Sequence, residues 1–182
     1  MHLLLRLIVL LTTARKRPRV SIFDPVSTPM RAMLTDIDIA MHINNGVYFS
    51  LFDLGRFELM VRSGAWDVIR KNKWTPVVQA ETITFRKSIV LNQRFTQETR
   101  LIGMDDRCIY FEQRMVANGE IYAQATIATR MVSKRGPVAN EEIIAAVGED
   151  VPADLVLPEW IERWREATAL PGARRPAPHQ WV

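Results

Sequence analysis

Cysteine and histidine are scarce in this chain, which has one cysteine and three histidines. The single cysteine, Cys108, cannot form an intrachain disulfide or build a thiolate zinc site. Three histidines, His2, His42 and His179, argue against a metal centre made of several imidazoles. We therefore expect no metal, and a reducing, cytoplasmic setting.

Long apolar runs are also lacking. The most apolar stretch, residues 3–11, contains Arg6 and is about half as long as the ~20 residues of a membrane-spanning helix. Its basic cluster, residues 15–19, follows the apolar stretch, whereas a secretory signal carries its charge before it. Two interpretations stay open: a short helix packed on the protein body or a neighbouring subunit, or an interfacial segment in peripheral contact with a membrane.

A strong excess of one charge is absent as well. The 24 lysines and arginines outnumber the 20 acidic residues only slightly, giving a net charge of +4. This excess suits a phosphorylated ligand, but the basic residues cluster at the two termini, so we expect no nucleic-acid partner. With 182 residues, 48% of them hydrophobic, the chain can bury a core.

The hydrophobic periodicity predicts an α+β protein. The predicted strands cover residues 28–35, 77–90, 93–104, 107–117 and 120–133, and the predicted helices cover residues 46–62, 65–72, 141–147 and 158–167. Asn118-Gly119 separates the last two strands and predicts a type I′ hairpin turn.

The predicted helix over residues 46–62 carries apolar side chains on more than one face, so it should be buried on several sides. A curved antiparallel sheet wrapped around this central helix satisfies that requirement. Long edge strands then predict a homodimer. We expect a leader segment over residues 1–20, the main domain over 21–148, and a helical extension with a mobile tail over 149–182.

Polar groups are densest in the loop before the central helix, which contains Asp36, Asp38, His42, Asn44 and Asn45. Free amide groups and the dipole at a helix start favour negative charge, and a nearby carboxylate can act as nucleophile or as base on water. The same residue types also cap helices and stabilise turns. Either asparagine could therefore be only a cap.

The segment Asp36-Ile-Asp38-Ile-Ala-Met-His42-Ile-Asn44-Asn45-Gly-Val-Tyr48 resembles the loop-to-helix signature of hotdog-fold acyl-CoA thioesterases, in the 4-hydroxybenzoyl-CoA thioesterase-like group. It matches each fixed position of the form D-x-D-x-x-x-H-x-N-N-x-x-Y. The resemblance extends over residues of about 28–147, and looks closest to a branch with an apolar, then basic, leader. It implies a hotdog fold and hydrolysis of an acyl-coenzyme A thioester, with coenzyme A as part of the substrate and no cofactor.

The resemblance also implies roles for individual residues. Asp38 matches the family's catalytic aspartate, and Asp53 matches the helix carboxylate of a sister branch. The full implied set has catalytic roles for Asp38, Asp53, His42 and Asn45, and substrate contacts for Asp36, Asn44, Gly46, Tyr48, Arg86 and Lys87. In such dimers the site lies between subunits, so the two carboxylates could come from opposite chains.

Three local features qualify these roles. Arg86 and Lys87 are adjacent in a predicted strand, so we expect opposite faces, with at most one reaching a coenzyme A phosphate. Many relatives carry glycine where this chain has Met41, and the larger side chain could narrow the acyl pocket. We expect Cys108 to serve packing and Glu58 to be partnered.

Two other functions remain open from the residues alone. A hotdog dehydratase acting on hydroxyacyl thioesters needs a histidine opposite an acid, for which His42 and Asp53 are candidates. A non-catalytic acyl-thioester or lipid-binding module would retain the fold without turnover. The sequence also leaves open a homodimer or a dimer of dimers.

Overall fold

The structure, a computed structural model, describes residues 3–172 and 175–179. The expected mobility of the tail falls partly on residues outside these ranges. The helices are α1 Leu4–Ala14, α2 Asn45–Ser63, α3 Ala65–Asn72, α4 Asn140–Val147 and α5 Glu159–Thr168, and the strands are β1 Val26–Arg31, β2 Thr75–Phe85, β3 Arg94–Met104, β4 Ile109–Ala117, β5 Glu120–Ser133 and β6 Gly136–Pro137.

All strand pairs are antiparallel, in the order β1-β3-β4-β5-β2, with the short β6 on the end of β5. The predicted α+β architecture is confirmed. The first strand ends at Arg31 and not at residue 35, because Leu34–Asp36 form a 3₁₀ turn. Asn118 (φ 52°) and Gly119 (φ 74°) both have positive φ, as the predicted hairpin turn requires.

Helix α2 is the central helix, and the curled sheet covers it on several sides. Asn44 caps its start by accepting a hydrogen bond from the Gly46 N–H (2.9 Å), and Gly64 ends it in the left-handed conformation. Its buried residues are Tyr48, Leu51, Phe52, Leu54, Gly55, Arg56, Glu58 and Leu59. Burial around so much of its circumference confirms the wrapped helix.

Helix α1 packs on α2 and shares the main core through Leu10 and Ala14. Arg17, just after α1, forms an ion pair with Glu58, whose side chain is only 2% exposed. Arg62 and the Thr28 hydroxyl also contact this carboxylate, so the expectation of a partnered Glu58 is confirmed. Among the described residues, no helix has the length and apolar character needed to cross a membrane.

Helix α5 docks on the other face of the sheet. Ile161 is fully buried beside Cys108 and Tyr110, and Trp164 is half-buried against the same cluster. Arg165 forms an ion pair with Asp105. Cys108 is free and buried, as expected of a packing residue.

Candidate active site

The loop before α2 begins with a carboxylate that is used structurally. Asp36 is 1% exposed and accepts hydrogen bonds from the Met33 N–H (2.8 Å) and from Arg6 (2.6 Å). The guanidinium of α1 therefore neutralises it inside the protein. This burial assigns Asp36 to the loop architecture, and corrects its expected role as a substrate contact.

Asp38 lies two residues later and is accessible. Its side chain is 25% exposed, and its Oδ1 accepts the Ala40 N–H (2.9 Å) within a tight turn. The His42 Nδ1 lies 3.8 Å from the same oxygen, so the turn brings a histidine and a carboxylate together. At this separation they are neighbours but not hydrogen-bonded.

The backbone of the turn between Asp38 and His42 accounts for the glycine that many of the similar thioesterases carry at the position of Met41. Met41 has φ 63°, the left-handed region that glycine enters without steric cost. The Met41 side chain is 56% exposed at the surface and does not line the apolar cavity described below. The expectation that it narrows an acyl pocket therefore finds no support in the chain's own fold.

The start of α2 presents Asn45 at the surface, while its neighbours have structural roles. Asn44 is the cap, and it occupies the amide of Gly46. Tyr48 is 2% exposed and packs edge-on against Phe85, with ring centroids 5.0 Å apart. Burial raises the pKa of Tyr48. The ring belongs to the core, which corrects its expected role in binding substrate.

A second group of charges lies in the middle of α2. Asp53 is 54% exposed and forms an ion pair with Arg56, whose side chain is 7% exposed. The other arm of Arg56 donates to the Gln113 Oε1 (2.5 Å). Gln113 in turn donates to the Phe52 carbonyl oxygen (2.8 Å) and is fully buried. Arg56 is thus anchored to the sheet and holds the Asp53 carboxylate at the surface of the helix.

Glu81 on β2 completes this charged group. Burial raises the pKa of its carboxyl group and Asp53 raises it further, while the positive charge of Arg56 opposes both effects. Burial lowers the pKa of Arg56, and the two carboxylates oppose that shift. A carboxyl group with a raised pKa beside a guanidinium and a second acid is a pattern that recurs at functional sites.

An apolar cavity of about 360 Å³ opens beside Asp53 and Arg56. It lies between α2, α3, α4 and the sheet. The residues that line it are Ile22, Asp53, Arg56, Phe57, Met60, Ala65, Val68, Ile69, Trp74, Pro76, Val78, Leu101, Ile109, Phe111, Thr129, Met131, Ile143 and Val147. Since an engineered apolar cavity of about 150 Å³ accepts benzene, this cavity has room for about twice that apolar volume.

The two candidate carboxylates are separated within one chain. Asp53 is eight residues beyond Asn45, or about 12 Å further along the helix axis. No hydrogen bond or ion pair within the described residues joins Asp53 to Asp38 or to His42. Within one chain, the structure therefore places His42 beside Asp38 and apart from Asp53. The His42–Asp53 pair of the dehydratase hypothesis would have to form between two subunits.

Arg86 and Lys87 lie just past the end of β2, and the expectation that they face opposite ways is wrong. Both of their backbone N–H groups donate to the Tyr122 carbonyl oxygen (2.8 and 3.0 Å), so the strand alternation has already ended. Both side chains form ion pairs with Glu120. Lys87 and then Arg86 lower the pKa of Glu120.

Sequence reasoning missed Arg56, Glu81 and Gln113. The spacing Asp53-x-x-Arg56 on a predicted helix was a usable signal, because residues three apart are neighbours on a helix surface. Glu81 and Gln113 reach this place only through strand order, which has no local signature. Within the described part of the chain, no group of three or more histidine, cysteine or acidic residues is arranged to hold a metal ion.

Comparison with known proteins places these residues in a family. The model of the thioesterase-like superfamily matches residues 33–164. Relatives named Protein THEM6 are 34% identical over 110 residues in Danio rerio and 34% identical over 95 residues in Xenopus laevis. These matches cover 60% and 52% of this chain, and 54% and 46% of the relatives. The chain thus spans about half the length of the curated relatives it matches.

Solved structures show the same fold. YbaW, a probable thioesterase from Escherichia coli, is 19% identical with a TM-score of 0.62, covering 66% of this chain and 95% of that one. The DHNA-CoA thioesterase from Staphylococcus aureus is 14% identical with a TM-score of 0.58, covering 70% and 97%. The expected hotdog fold is confirmed.

Proposed function

This chain belongs to the thioesterase-like superfamily, and from that premise we propose that it hydrolyses an acyl-coenzyme A thioester to a free acid and coenzyme A. The observation that carries the proposal is the Asp53 carboxylate, held by Arg56 at the mouth of the apolar cavity. A thioester has an apolar acyl chain on one side of its carbonyl carbon and a polar thiol on the other. The cavity would take the acyl chain and leave the carbonyl near Asp53.

Asp53 then acts as general base on water in this proposal. The water oxygen attacks the carbonyl carbon while its proton passes to the carboxylate. The carbon–sulfur bond breaks, and the proton returns to the departing thiolate. Arg56 is a positioning residue, since its contacts with Gln113 fix the direction from which it holds Asp53.

Asp38 is the other candidate for the general base, and it would act on a thioester bound at the start of α2 instead of beside Asp53. It is accessible, has His42 beside it and precedes the start of α2, where helix amides could polarise a carbonyl. Asn45 at that start and the cations Arg86 and Lys87 would then contact the substrate, with the cations near its phosphates. A homodimer would be needed to bring an acyl cavity to this place.

The homodimer remains a proposal that the edge strand β2 supports. In the described sheet β2 pairs with β5 on one side, and its other edge has no partner strand. Val77, Val78 and Phe85 on this strand are each about 40% exposed. Pairing of β2 with the same strand of a second copy would cover this edge and bring two sites together.

The proposed reaction needs no cofactor, and we retain the cytoplasm as its expected setting.

The experiment is steady-state release of thiol from acyl-coenzyme A substrates of increasing chain length and ring size. We compare Asp53→Asn and Asp38→Asn with Asp106→Asn, an exposed aspartate outside both places as a matched control. Loss of a general base costs about 10²–10⁴-fold in rate, so Asp53→Asn should lower kcat/KM by at least about 10²-fold. Asp38→Asn should have a smaller effect, and Asp106→Asn none.

Each contrary outcome has a separate meaning. A large loss with Asp38→Asn alone would assign the base to Asp38 and overturn the role of Asp53. No thiol release above background from any substrate would overturn hydrolysis. Tight acyl-coenzyme A binding without turnover would then favour a binding module. Hydration of an enoyl thioester would favour the dehydratase, for which the Asp38–His42 pair is the supporting geometry.

A further inference from the structure

Helix α1 is apolar on two faces, and only one of them is covered. Leu10 and Ala14 face the core, with Leu3 and Leu7 packed beside them. The outer face consists of exposed apolar residues: Leu4 (57%), Leu5 (67%), Ile8 (51%) and Val9 (52%). A helix that is apolar all round is normally buried on all sides. The outer face therefore has the composition of a surface that contacts something apolar.

Exposed positive charges follow directly at the C-terminal end of α1. Arg15, Lys16 and Arg19 are exposed and form no ion pair within the described ranges. Arg17 and Arg62, by contrast, are engaged by Glu58. These arginines line a cleft of about 150 Å³, whose full lining is Ala14, Arg15, Arg17, Arg19, Val61, Arg62, Trp66 and Asp67. Since Glu58 already pairs with Arg17 and Arg62, the cleft's excess positive charge comes from Arg15 and Arg19, which suits it to a phosphate-bearing group.

More apolar surface adjoins α1. Arg6 reaches from the helix to the end of β1 and the loop after it, donating hydrogen bonds to the Arg31 carbonyl oxygen (3.0 Å) and to Asp36. The same loop exposes Leu34 (74%) and Ile39 fully. We call the outer face of α1 together with Arg15, Lys16 and Arg19 the leader surface.

We propose that the leader surface docks on an anionic lipid membrane, with α1 lying in the interface and not crossing it. A helix in this position buries an apolar face at the boundary of the acyl chains, and basic residues beside it bind anionic headgroups. The complementarity of charge selects the lipid surface as the occupant. A second copy would bring the same basic cluster to the interface, and the two clusters would repel each other. The proposal does not depend on the hydrolytic activity.

The first test is flotation of the purified full chain with vesicles of phosphatidylcholine, alone or mixed with phosphatidylglycerol. The wild type should float with the mixed vesicles and much less with the neutral ones. Leu5→Gln/Ile8→Gln removes apolar contact from exposed positions, so it should fold normally. It should weaken the partition coefficient by at least about tenfold. The matched control Val156→Gln/Leu170→Gln changes two exposed apolar residues elsewhere, and should bind as the wild type does.

The second test removes charge. Arg15→Gln/Lys16→Gln/Arg19→Gln should weaken binding to the mixed vesicles by about 10²-fold at low salt, since each basic residue near such a surface contributes about fivefold. The matched control is the triple change Lys134→Gln/Arg135→Gln/Arg163→Gln, which removes the same charge from another surface. It should bind about as the wild type does.

Three outcomes would overturn the proposal. The wild type could fail to float with anionic vesicles, or the leader-surface variants could float as well as their controls. Light scattering could also show that Leu5→Gln/Ile8→Gln lowers the molar mass in solution, which would make the outer face of α1 a contact between copies.

Discussion

Replacing Gly55 by alanine tests how closely α2 approaches the sheet. Alanine is the better helix former by about 1 kcal/mol, and Gly55 lies in the interior of α2. Local propensity alone therefore predicts that Gly55→Ala stabilises the protein. The tertiary structure predicts the opposite sign, because a Cβ here would lie 2.2 Å from the Gln97 Nε2 and 2.6 Å from the Thr99 Oγ1.

The magnitude follows from what must move. Gln97 is fully buried, and its Nε2 donates to the Phe52 carbonyl oxygen (3.1 Å), so it cannot turn aside without losing that bond. Overpacking a core costs about 1–3 kcal/mol, and a buried donor left without a partner costs about 1–3 kcal/mol more. After subtracting the gain in propensity, Gly55→Ala should lower the free energy of unfolding by about 1–5 kcal/mol.

The assay is urea unfolding followed by circular dichroism, with Ser50→Ala on α2 as a control for propensity alone. Ser50→Ala should change the free energy of unfolding by less than about 1 kcal/mol. In Gly55→Ala/Gln97→Ala the obstructing amide is gone, so the second change should cost less in the alanine background than alone. If Gly55→Ala is as stable as the wild type or more so, the close approach of α2 to β3 is refuted.

Three further predictions concern other contacts. Arg17→Met should lower the free energy of unfolding by about 2 kcal/mol, below the ~3–5 kcal/mol of a fully buried pair, because other groups still contact Glu58; an unchanged urea midpoint would contradict this. Burial raises the pKa of Asp105, but hydrogen bonds from the Tyr110 hydroxyl and two backbone amides, together with the charge of Arg165, outweigh burial and lower that pKa. The ionised Asp105 therefore stabilises the fold at a pH above its unfolded pKa, and this stabilisation is lost as the pH falls through its folded pKa. Asp105→Asn should abolish that loss below about pH 4 in acid titrations followed by tryptophan fluorescence, and an unchanged acid limb would exclude the group. Met41→Gly should raise the free energy of unfolding by about 1 kcal/mol by relieving a left-handed conformation, and a lower value in urea titration would show that the turn is not strained.

Much of the fold was readable because its signals are local. The periodicity predicted α3 at its observed bounds and α2 within one residue at each end. Errors occurred where a contact from elsewhere overrides the local pattern. Arg86 and Lys87 continue the alternation in sequence, but the Tyr122 carbonyl oxygen binds both amides and ends the strand. In α5 the apolar pattern does not show which side chain docks the helix, because Trp160 is 46% exposed and Ile161 is the buried anchor.

The candidate site was only half readable. The motif drew attention to Asp38 and His42, and the turn does bring their side chains together. Residues four apart in a tight turn lie close in space whatever the rest of the fold does. The same motif gave no sign that Asp36 forms a buried ion pair with Arg6, thirty residues away. Nor did it reveal the cavity beside Asp53, since α4 and the sheet, which are far from α2 and α3 in sequence, form part of its walls.

The sequence by itself determined the order of α2 to α5 and of the five long strands, an asparagine cap for α2 and the hairpin at Asn118-Gly119. These depend on periodicity and on backbone preferences within a few residues. Tertiary structure decided which carboxylates are buried in ion pairs and which remain accessible to a substrate. Asp36 and Glu58 are buried in ion pairs with arginines from the leader, whereas Asp53, although paired with Arg56, is 54% exposed beside a cavity. Whether a carboxylate is buried, paired or open depends on which segments pack beside it, and no local pattern specifies that.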